Sequence, residues 1–299
     1  MIPLERLRTR ALESLQPLLT LALDEDIGPG DLTSDVLIDT ETGAMAEMVA
    51  KDAGTVAGLA LVETICHRVD GRLAVSRVMD DGTRVVRGDV LCRIAGPVRP
   101  LLTVERTLLN FVQALSGIAT HTAKYVEAVT HTDALILDTR KTTPGWRYLE
   151  KYAVRMGGGT NHRTGLHDGV LIKDNHMAVR APEHVGDTIA GLVREARQHV
   201  SQGIPIQVEV ERLDYLEEVL AAGPDVVLLD NMKPHRLREA VRRRDRMFPE
   251  GDGPALEASG GITLRNVRTV AETGVDRISV GALTHSAPVL DISLDIRPE

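Results

Sequence analysis

Aromatic residues are nearly missing from this 299-residue chain, at 2% of its composition. The formal net charge is -8. Proteins that hold nucleic acids track the backbone with positive grooves and stack bases on aromatic rings. Both are lacking, so no nucleic-acid partner is expected. Cysteine is almost as scarce: Cys66 and Cys92 stand alone with no CxxC spacing. That excludes a disulfide framework and a cysteine zinc site, and it fits a reducing compartment. No long apolar run escapes interruption by charge, so no membrane-spanning helix is expected. The start, MIPLERLRTRALESL, carries Glu5 and Glu13 and lacks the apolar core of a signal peptide. A soluble cytoplasmic protein follows as the expectation. Lysine is rare too, with six against 29 arginines. No GxGxxG follows the first strand of the second half, which weighs against a dinucleotide-binding sheet. Nothing resembles an activated serine or cysteine, so no protein nucleophile is expected.

What is present begins with size. The length accommodates two domains, and 43% apolar residues supply a core. The spacing of Leu4, Leu7, Leu15, Leu18, Leu19 and Leu23 predicts a helix over 4–23. EDIGPGDLTS, at 25–34, is turn-rich. Residues 44–50, 73–79 and 90–95 read as strands between glycines. A helix over 103–116 is predicted, with Thr103 as N-cap and Arg106 near its start.

After residue 130 the rhythm changes. ALILDTR, GVLIKDN, IQVEVE, DVVLLDN, ALEASGG and RISVGAL are six strand-like runs. Helices are predicted between them at 146–156, 184–200, 213–222, 234–245 and 263–273. Alternating strands and helices imply parallel βαβ units, and six of them suggest a whole or incomplete barrel.

Nearly every strand ends in polar residues, where such folds place active sites. The ends are Asp138-Thr139-Arg140-Lys141, Lys173-Asp174-Asn175-His176, Glu209 with Glu211, Asp230-Asn231, Ser259-Gly260-Gly261, and Gly281 followed by His285. Glu209 and Glu211 share one face of their strand, and Val208 and Val210 take the apolar helix layer. The glutamates should therefore point inward, Glu209 as a structural ion pair and Glu211 nearer the mouth. Ser259-Gly260-Gly261 before a predicted helix reads as a phosphate cradle. Arg140, Lys141, His162, Arg163 and Lys173 form a cationic set. Arginine suits bidentate carboxylate recognition, and lysine suits a point contact to pyrophosphate.

Residues 137–176, LDTRKTTPGWRYLEKYAVRMGGGTNHRTGLHDGVLIKDNH, resemble the signature block of the quinolinate phosphoribosyltransferases. EDIGPGDLTS, ERTLLNFVQALSGIAT, VEVE, LLDN, EASGGIT and VGALTHS resemble that family in the same order. The resemblance implies an N-terminal α/β sandwich domain over 1–116, completed by the tail 286–299. It also implies an incomplete α/β barrel over 117–285. It implies transfer of phosphoribosyl from phosphoribosyl pyrophosphate to quinolinate with decarboxylation, magnesium bound with that pyrophosphate, and no organic cofactor. Arg140, His162, Arg163 and Lys173 would hold the quinolinate carboxylates, beside Thr139. Lys141 would meet the pyrophosphate. Glu211 and Asp230 would bind the ribose hydroxyls and the metal. Ser259, Gly260, Gly261 and Val280, Gly281 and Ala282 would cradle the 5-phosphate, with His285 nearby. A homodimer is implied, with Arg106 supplied by the neighbouring subunit. The alternatives are a paralogue acting on another heteroaromatic acid and a non-catalytic barrel that binds a phosphorylated ligand.

Overall fold

Alternation builds the first strand. In β1 (Gly43–Ala50) the residues Ala44, Ala46, Met48 and Ala50 are fully buried, each two positions from the next. The opposite face carries Glu47, which pairs with Arg93 at 2.9 Å and Arg297 at 3.4 Å on the flanking strands. The computed structural model describes residues 3–40, 42–173, 175, 176, 179 and 185–298. It divides into two units. One holds the residues up to Ala123, Lys141–Gly159 and those from Leu283 onward; the other holds Lys124–Arg140 and Thr160–Ala282.

The first, antiparallel unit contains β2 (Gly54–Thr55), β3 (Ala74–Arg77), β4 (Arg84–Val85), β5 (Val90–Pro97) and β12 (Ile292–Pro298) besides β1. Its main sheet runs β12-β1-β5-β3, so the tail of the chain pairs directly with β1. Helix α1 (Leu4–Ile27) buries Leu7, Ala11, Leu15, Leu19 and Leu23, an i, i+4 stripe. Asp31 then caps the short α2 (Leu32–Leu37), accepting from the Ser34 N–H at 3.1 Å. Of the turn-rich stretch 25–34, residues 25–27 thus end α1 and 32–34 open α2, leaving only 28–31 outside a helix. Helix α3 (Leu59–Val69) is capped from a distance, by Asp81 accepting from the Leu59 N–H at 2.8 Å.

Helix α4 spans Val98–Val129, well beyond the expected 103–116. Thr103 is not its cap: its hydroxyl donates back to the Arg99 carbonyl at 2.9 Å, inside the helix. The glycine at 117 does not end the helix. It makes room for the chain that follows, since a Cβ there would lie 2.2 Å from the Pro288 carbonyl oxygen. The boundary expected at 116/117 thus falls inside α4. Helix α5 (Arg147–Met156) clusters with the antiparallel unit, where the Tyr152 hydroxyl donates to Asp81 at 2.7 Å.

The second, parallel unit carries β6 (Leu135–Leu137), β7 (Val170–Ile172), β8 (Ile206–Val210), β9 (Val226–Asp230), β10 (Ala255–Ser259) and β11 (Arg277–Ser279). All six are parallel, in the order β6-β11-β10-β9-β8-β7. The first strand sits beside the last, as in a barrel, yet β6 and β7 are the two ends of the sheet. The sheet is an incomplete barrel, as the sequence predicts. Register decides the two faces. Gln207 and Glu209 of β8, Val226 and Leu228 of β9, Glu257 of β10 and Arg277 of β11 lie on one face. Val208, Val210, Val227, Leu229, Leu256 and Ala258 are buried on the other. The inward direction of Glu209 follows directly.

Candidate active site

The strand ends of the parallel unit gather opposite charges in separate places. At the end of β8 and β9, carboxylate oxygens of Glu209, Glu211 and Asp230 all lie within 4.8 Å of one another. Lys173, just past β7, places Nζ 2.6 Å from Glu209 Oε2, a short charge-assisted bond. Glu209 is the ion-paired member of this trio, leaving Glu211 and Asp230 at the mouth. Asp230 accepts a 2.6 Å bond from the Asn231 side-chain amide. Asp174 lies outside the described residues.

The cationic side lies on the segment 160–169. Thr160 bridges β6 through Leu137, bringing the segment to the sheet. Arg163 is partly buried and donates from Nη1 to the Gly169 carbonyl at 2.9 Å. Burial first, and the positive charge of Arg140 second, lower the pKa of its guanidinium, while Asp168 opposes them. A guanidinium whose charge is opposed by burial and by a second cation favours an anion beside it. Asp168 organises the loop that follows Arg163, accepting from the Thr164 N–H and hydroxyl at 2.7 Å each and from the Gly165 N–H at 3.0 Å. Its own burial raises its pKa, and these three donors outweigh that and hold it low. Thr139 is half-buried at the end of β6.

The glycine loop follows β10. Gly260 and Gly261 have φ of 89° and 63°, where a side chain is disfavoured. The Asn231 N–H donates to the Ser259 carbonyl at 2.8 Å. A Cβ on Gly260 would meet Asn231 Oδ1 at 2.1 Å. The helix expected at 263–273 is shorter, Val267–Ala271. Asn266 accounts for the difference: its side chain accepts from the Thr263 N–H at 2.8 Å and donates to the Gly261 carbonyl at 2.9 Å. The turn so braced separates the glycine pair from the helix, and any anion there is met by loop N–H groups. Beside it, the buried Val280 donates to the Leu137 carbonyl at 2.8 Å, and Gly281 and Ala282 follow, half-buried.

Arg106, Lys141 and His285 belong to the antiparallel unit. Arg106 is exposed on α4, in its interior turns and not near its start. Lys141 is exposed, and its carbonyl accepts from the Thr284 hydroxyl at 2.6 Å. His285 is exposed, with Nδ1 2.7 Å from the Ser286 hydroxyl.

Glu257, Arg277, Ser279 and Asn161, outside the expected set, sit among these groups, as does Asp138 of the first strand end. Glu257 is fully buried, with Arg277 Nε at 3.1 Å and His162 Nε2 at 3.4 Å. Burial opposes its ionisation; the His162 ring, the Arg277 charge and the Ser279 hydroxyl outweigh it and hold its pKa low. Asp138, also fully buried, accepts from the His162 N–H at 2.8 Å and the Asn161 amide at 2.7 Å. The signal for Glu257 was legible: a lone acid between Leu256 and Ala258 in a strand must face inward.

Comparison with known proteins decides the family. The N-terminal domain profile of quinolinate phosphoribosyl transferase matches residues 31–116, and the C-terminal domain profile matches 118–295. The chain belongs to the quinolinate phosphoribosyltransferase family. It is 44% identical over 279 residues to the carboxylating nicotinate-nucleotide pyrophosphorylase of Mycobacterium leprae, covering 92% of this chain and 94% of that one. A mitochondrial quinolinate phosphoribosyltransferase of Nicotiana glauca is 39% identical over 301 residues, covering 95% of this chain and 83% of that protein. The solved nicotinate-nucleotide pyrophosphorylase of Francisella tularensis superposes with a TM-score of 0.86 at 35% identity, covering 99% and 98%. No described helix is long and apolar enough to cross a membrane.

Proposed function

We propose that this family member joins quinolinate to the phosphoribosyl group of phosphoribosyl pyrophosphate, giving nicotinate mononucleotide, carbon dioxide and pyrophosphate. It is a pentosyltransferase of de novo NAD synthesis. One observation carries the reading. The half-buried arginines Arg140 and Arg163 and the Glu209, Glu211 and Asp230 carboxylates belong to one parallel unit. A dianionic acid suits the first, and a ribose developing positive charge suits the second.

The chemistry assigns the roles. The pyridine nitrogen forms a bond to the anomeric carbon as the bond to pyrophosphate oxygen breaks. Arg140, Arg163 and Lys173 hold the acid's carboxylates so that the nitrogen faces that carbon. Glu211 and Asp230 bind the ribose hydroxyls and favour the oxocarbenium-like ribose. Lys141 meets the pyrophosphate. Ser259, Gly260, Gly261, Val280, Gly281, Ala282 and His285 receive the 5-phosphate. N-ribosylation makes the ring cationic; the adjacent carbon–carboxylate bond then breaks, its electrons enter the ring, and a proton takes the vacated carbon.

The donor set fits magnesium. Three carboxylates within 4.8 Å are hard oxygen ligands, and Lys173 already engages Glu209. Glu211 and Asp230 would hold the ion together with the substrate phosphates. Bound there, magnesium would neutralise charge on the departing pyrophosphate.

Arg106, exposed on α4, is proposed to reach the acid from a second copy in a homodimer. Arg106→Ala and Lys173→Ala dimers, each inactive, would then complement. Random subunit exchange restores about a quarter of wild-type activity; confirmed exchange without activity refutes the shared site. The reaction itself is tested by incubating the protein with quinolinate, phosphoribosyl pyrophosphate and magnesium. Nicotinate mononucleotide is the expected product. No product, with turnover of another pyridine acid, overturns the proposed substrate.

A further inference from the structure

His162 is expected to touch a substrate carboxylate, yet both of its ring nitrogens face protein. The Arg163 backbone N–H donates to Nδ1 at 2.8 Å. A backbone N–H is always a donor, so Nδ1 carries the lone pair and the ring proton sits on Nε2. Nε2 lies 3.4 Å from the Glu257 carboxylate. The ring is buried, at 9% exposure, and Glu257 is at 0%. Beyond Glu257, in register on the next strand, Arg277 supplies the balancing charge at 3.1 Å.

The peptide on the other side of the ring is gripped as well. Asp138, at the end of β6, takes the His162 N–H and the Asn161 amide with its two oxygens, at 2.8 and 2.7 Å. Residues 161–163 are thus held from β6 by Asp138 and from β10 by Glu257. Arg163 leaves this segment with its peptide N–H committed to the ring and one guanidinium nitrogen committed to Gly169. Its remaining donors are aimed by that frame.

A buried acid with no task would be a poor choice inside a parallel sheet. An apolar residue of similar volume is often neutral or stabilising at such a place. The arrangement matches the way outer partners fix a histidine's tautomer and orientation when the ring serves a neighbouring group.

We propose that Glu257, balanced by Arg277, is a positioning residue that locks the His162 ring and through it aims Arg163 at the carboxylates of the acid substrate. The proposal rests on the functional reading above. His162 acts as the connecting piece, and the contact to substrate is made by Arg163.

The test separates a positioning role from a merely structural one. Glu257→Gln keeps the shape and removes the charge. Because it leaves Arg277 unbalanced, Glu257→Gln/Arg277→Gln is made alongside it. KM for quinolinate should rise about tenfold or more in both, as for other outer-partner losses. KM for phosphoribosyl pyrophosphate should stay within about twofold, since that substrate is held elsewhere. Equal shifts of both KM values, or an unchanged quinolinate KM, overturn the proposal. The wild-type protein gives an independent readout should both variants fail to fold. With 15N-labelled histidine at neutral pH, the resonances assigned to His162 by His162→Gln should show Nδ1 unprotonated and Nε2 protonated. Nδ1 carrying the proton overturns the proposal. A wild-type protein that does not turn over quinolinate sinks the functional reading instead, while the tautomer still decides whether the Glu257–His162–Arg163 frame exists.

Discussion

Gly260 and Gly261 form a matched pair for testing how the glycine loop is built. Both have left-handed φ, 89° and 63°. They differ in surroundings: a Cβ on Gly260 meets Asn231 Oδ1 at 2.1 Å, whereas one on Gly261 meets nothing within 4 Å. Gly261→Ala should therefore cost only the backbone strain, about 1–2 kcal/mol. Gly260→Ala carries that strain and also displaces the Asn231 amide. The Asn231 backbone is tied to the Ser259 carbonyl at 2.8 Å, so its side chain must yield. Yielding breaks the 2.6 Å bond to Asp230, worth about 1.5 kcal/mol, the lower end for a charged acceptor because Asn231 is exposed. Equilibrium urea unfolding, followed by two probes at unchanged slope, measures both variants. Gly260→Ala should be the less stable by about 1.5 kcal/mol, and its KM for phosphoribosyl pyrophosphate should rise more. A stability difference under about 0.5 kcal/mol, the scatter of neutral substitutions, with equal KM values would refute this account of the loop.

Asp168→Asn should destabilise the protein at pH 7 by about 1–3 kcal/mol, through lost charged acceptors. Because Asp168 sits below the ordinary aspartate value of 3.8 when folded, its stabilisation is complete above 3.8 and fades as pH falls through the lower folded value. Urea midpoints of wild type and variant should therefore converge in acid; a constant gap would count against it. Burial pushes the Cys66 and Cys92 thiols up to about 12, so iodoacetamide at pH 8 should label neither in the folded protein and both in urea, as mass spectrometry would read. Magnesium should bind weakly to the free protein and tightly only with phosphoribosyl pyrophosphate present; stoichiometric tight binding in its absence, by calorimetry, would contradict the proposed ligand set.

Periodicity made much of this architecture legible. The i, i+4 leucines of α1 and the six apolar runs of the parallel sheet are local patterns, and each formed the element it predicts. What stayed hidden depended on side-chain partners, most of them distant in the chain. The helix expected to end at 116 runs on through Gly117, where Pro288 presses against it. The helix after Gly261 shortens because Asn266 spends its side chain on the preceding turn. The segment Lys141–Gly159 clusters with the antiparallel unit, because α5 finds its partners there. Among site residues, the charged strand ends could be read one at a time. Pairings could not: nothing local says that Lys173 meets Glu209, or that Glu257 meets both Arg277 and His162.

Those pairings explain how one sheet can serve two anionic substrates without confusing them. The positive charge of Arg140 adds to burial in lowering the pKa of the Arg163 guanidinium, an effect that a dianion bound by both would relieve. Glu209, Glu211 and Asp230 crowd negative charge within 4.8 Å, of which Lys173 answers one part. A bare polyphosphate would be repelled at that second place and drawn to the first. On the proposed reading, magnesium would come with it as the cation that Glu211 and Asp230 hold, and it would no longer compete for the arginines. The proposed metal would thus serve as an address as much as a neutraliser of leaving-group charge. Lys173 bonds Glu209 in the structure and is proposed to meet the acid when it binds. Its 2.6 Å bond to Glu209 must loosen for that, and an ion arriving beside Glu209 weakens that carboxylate's hold on the lysine. On the proposed assignments, occupancy of the phosphate side would favour release of the cation that the acid side needs and so couple the two substrates through one carboxylate.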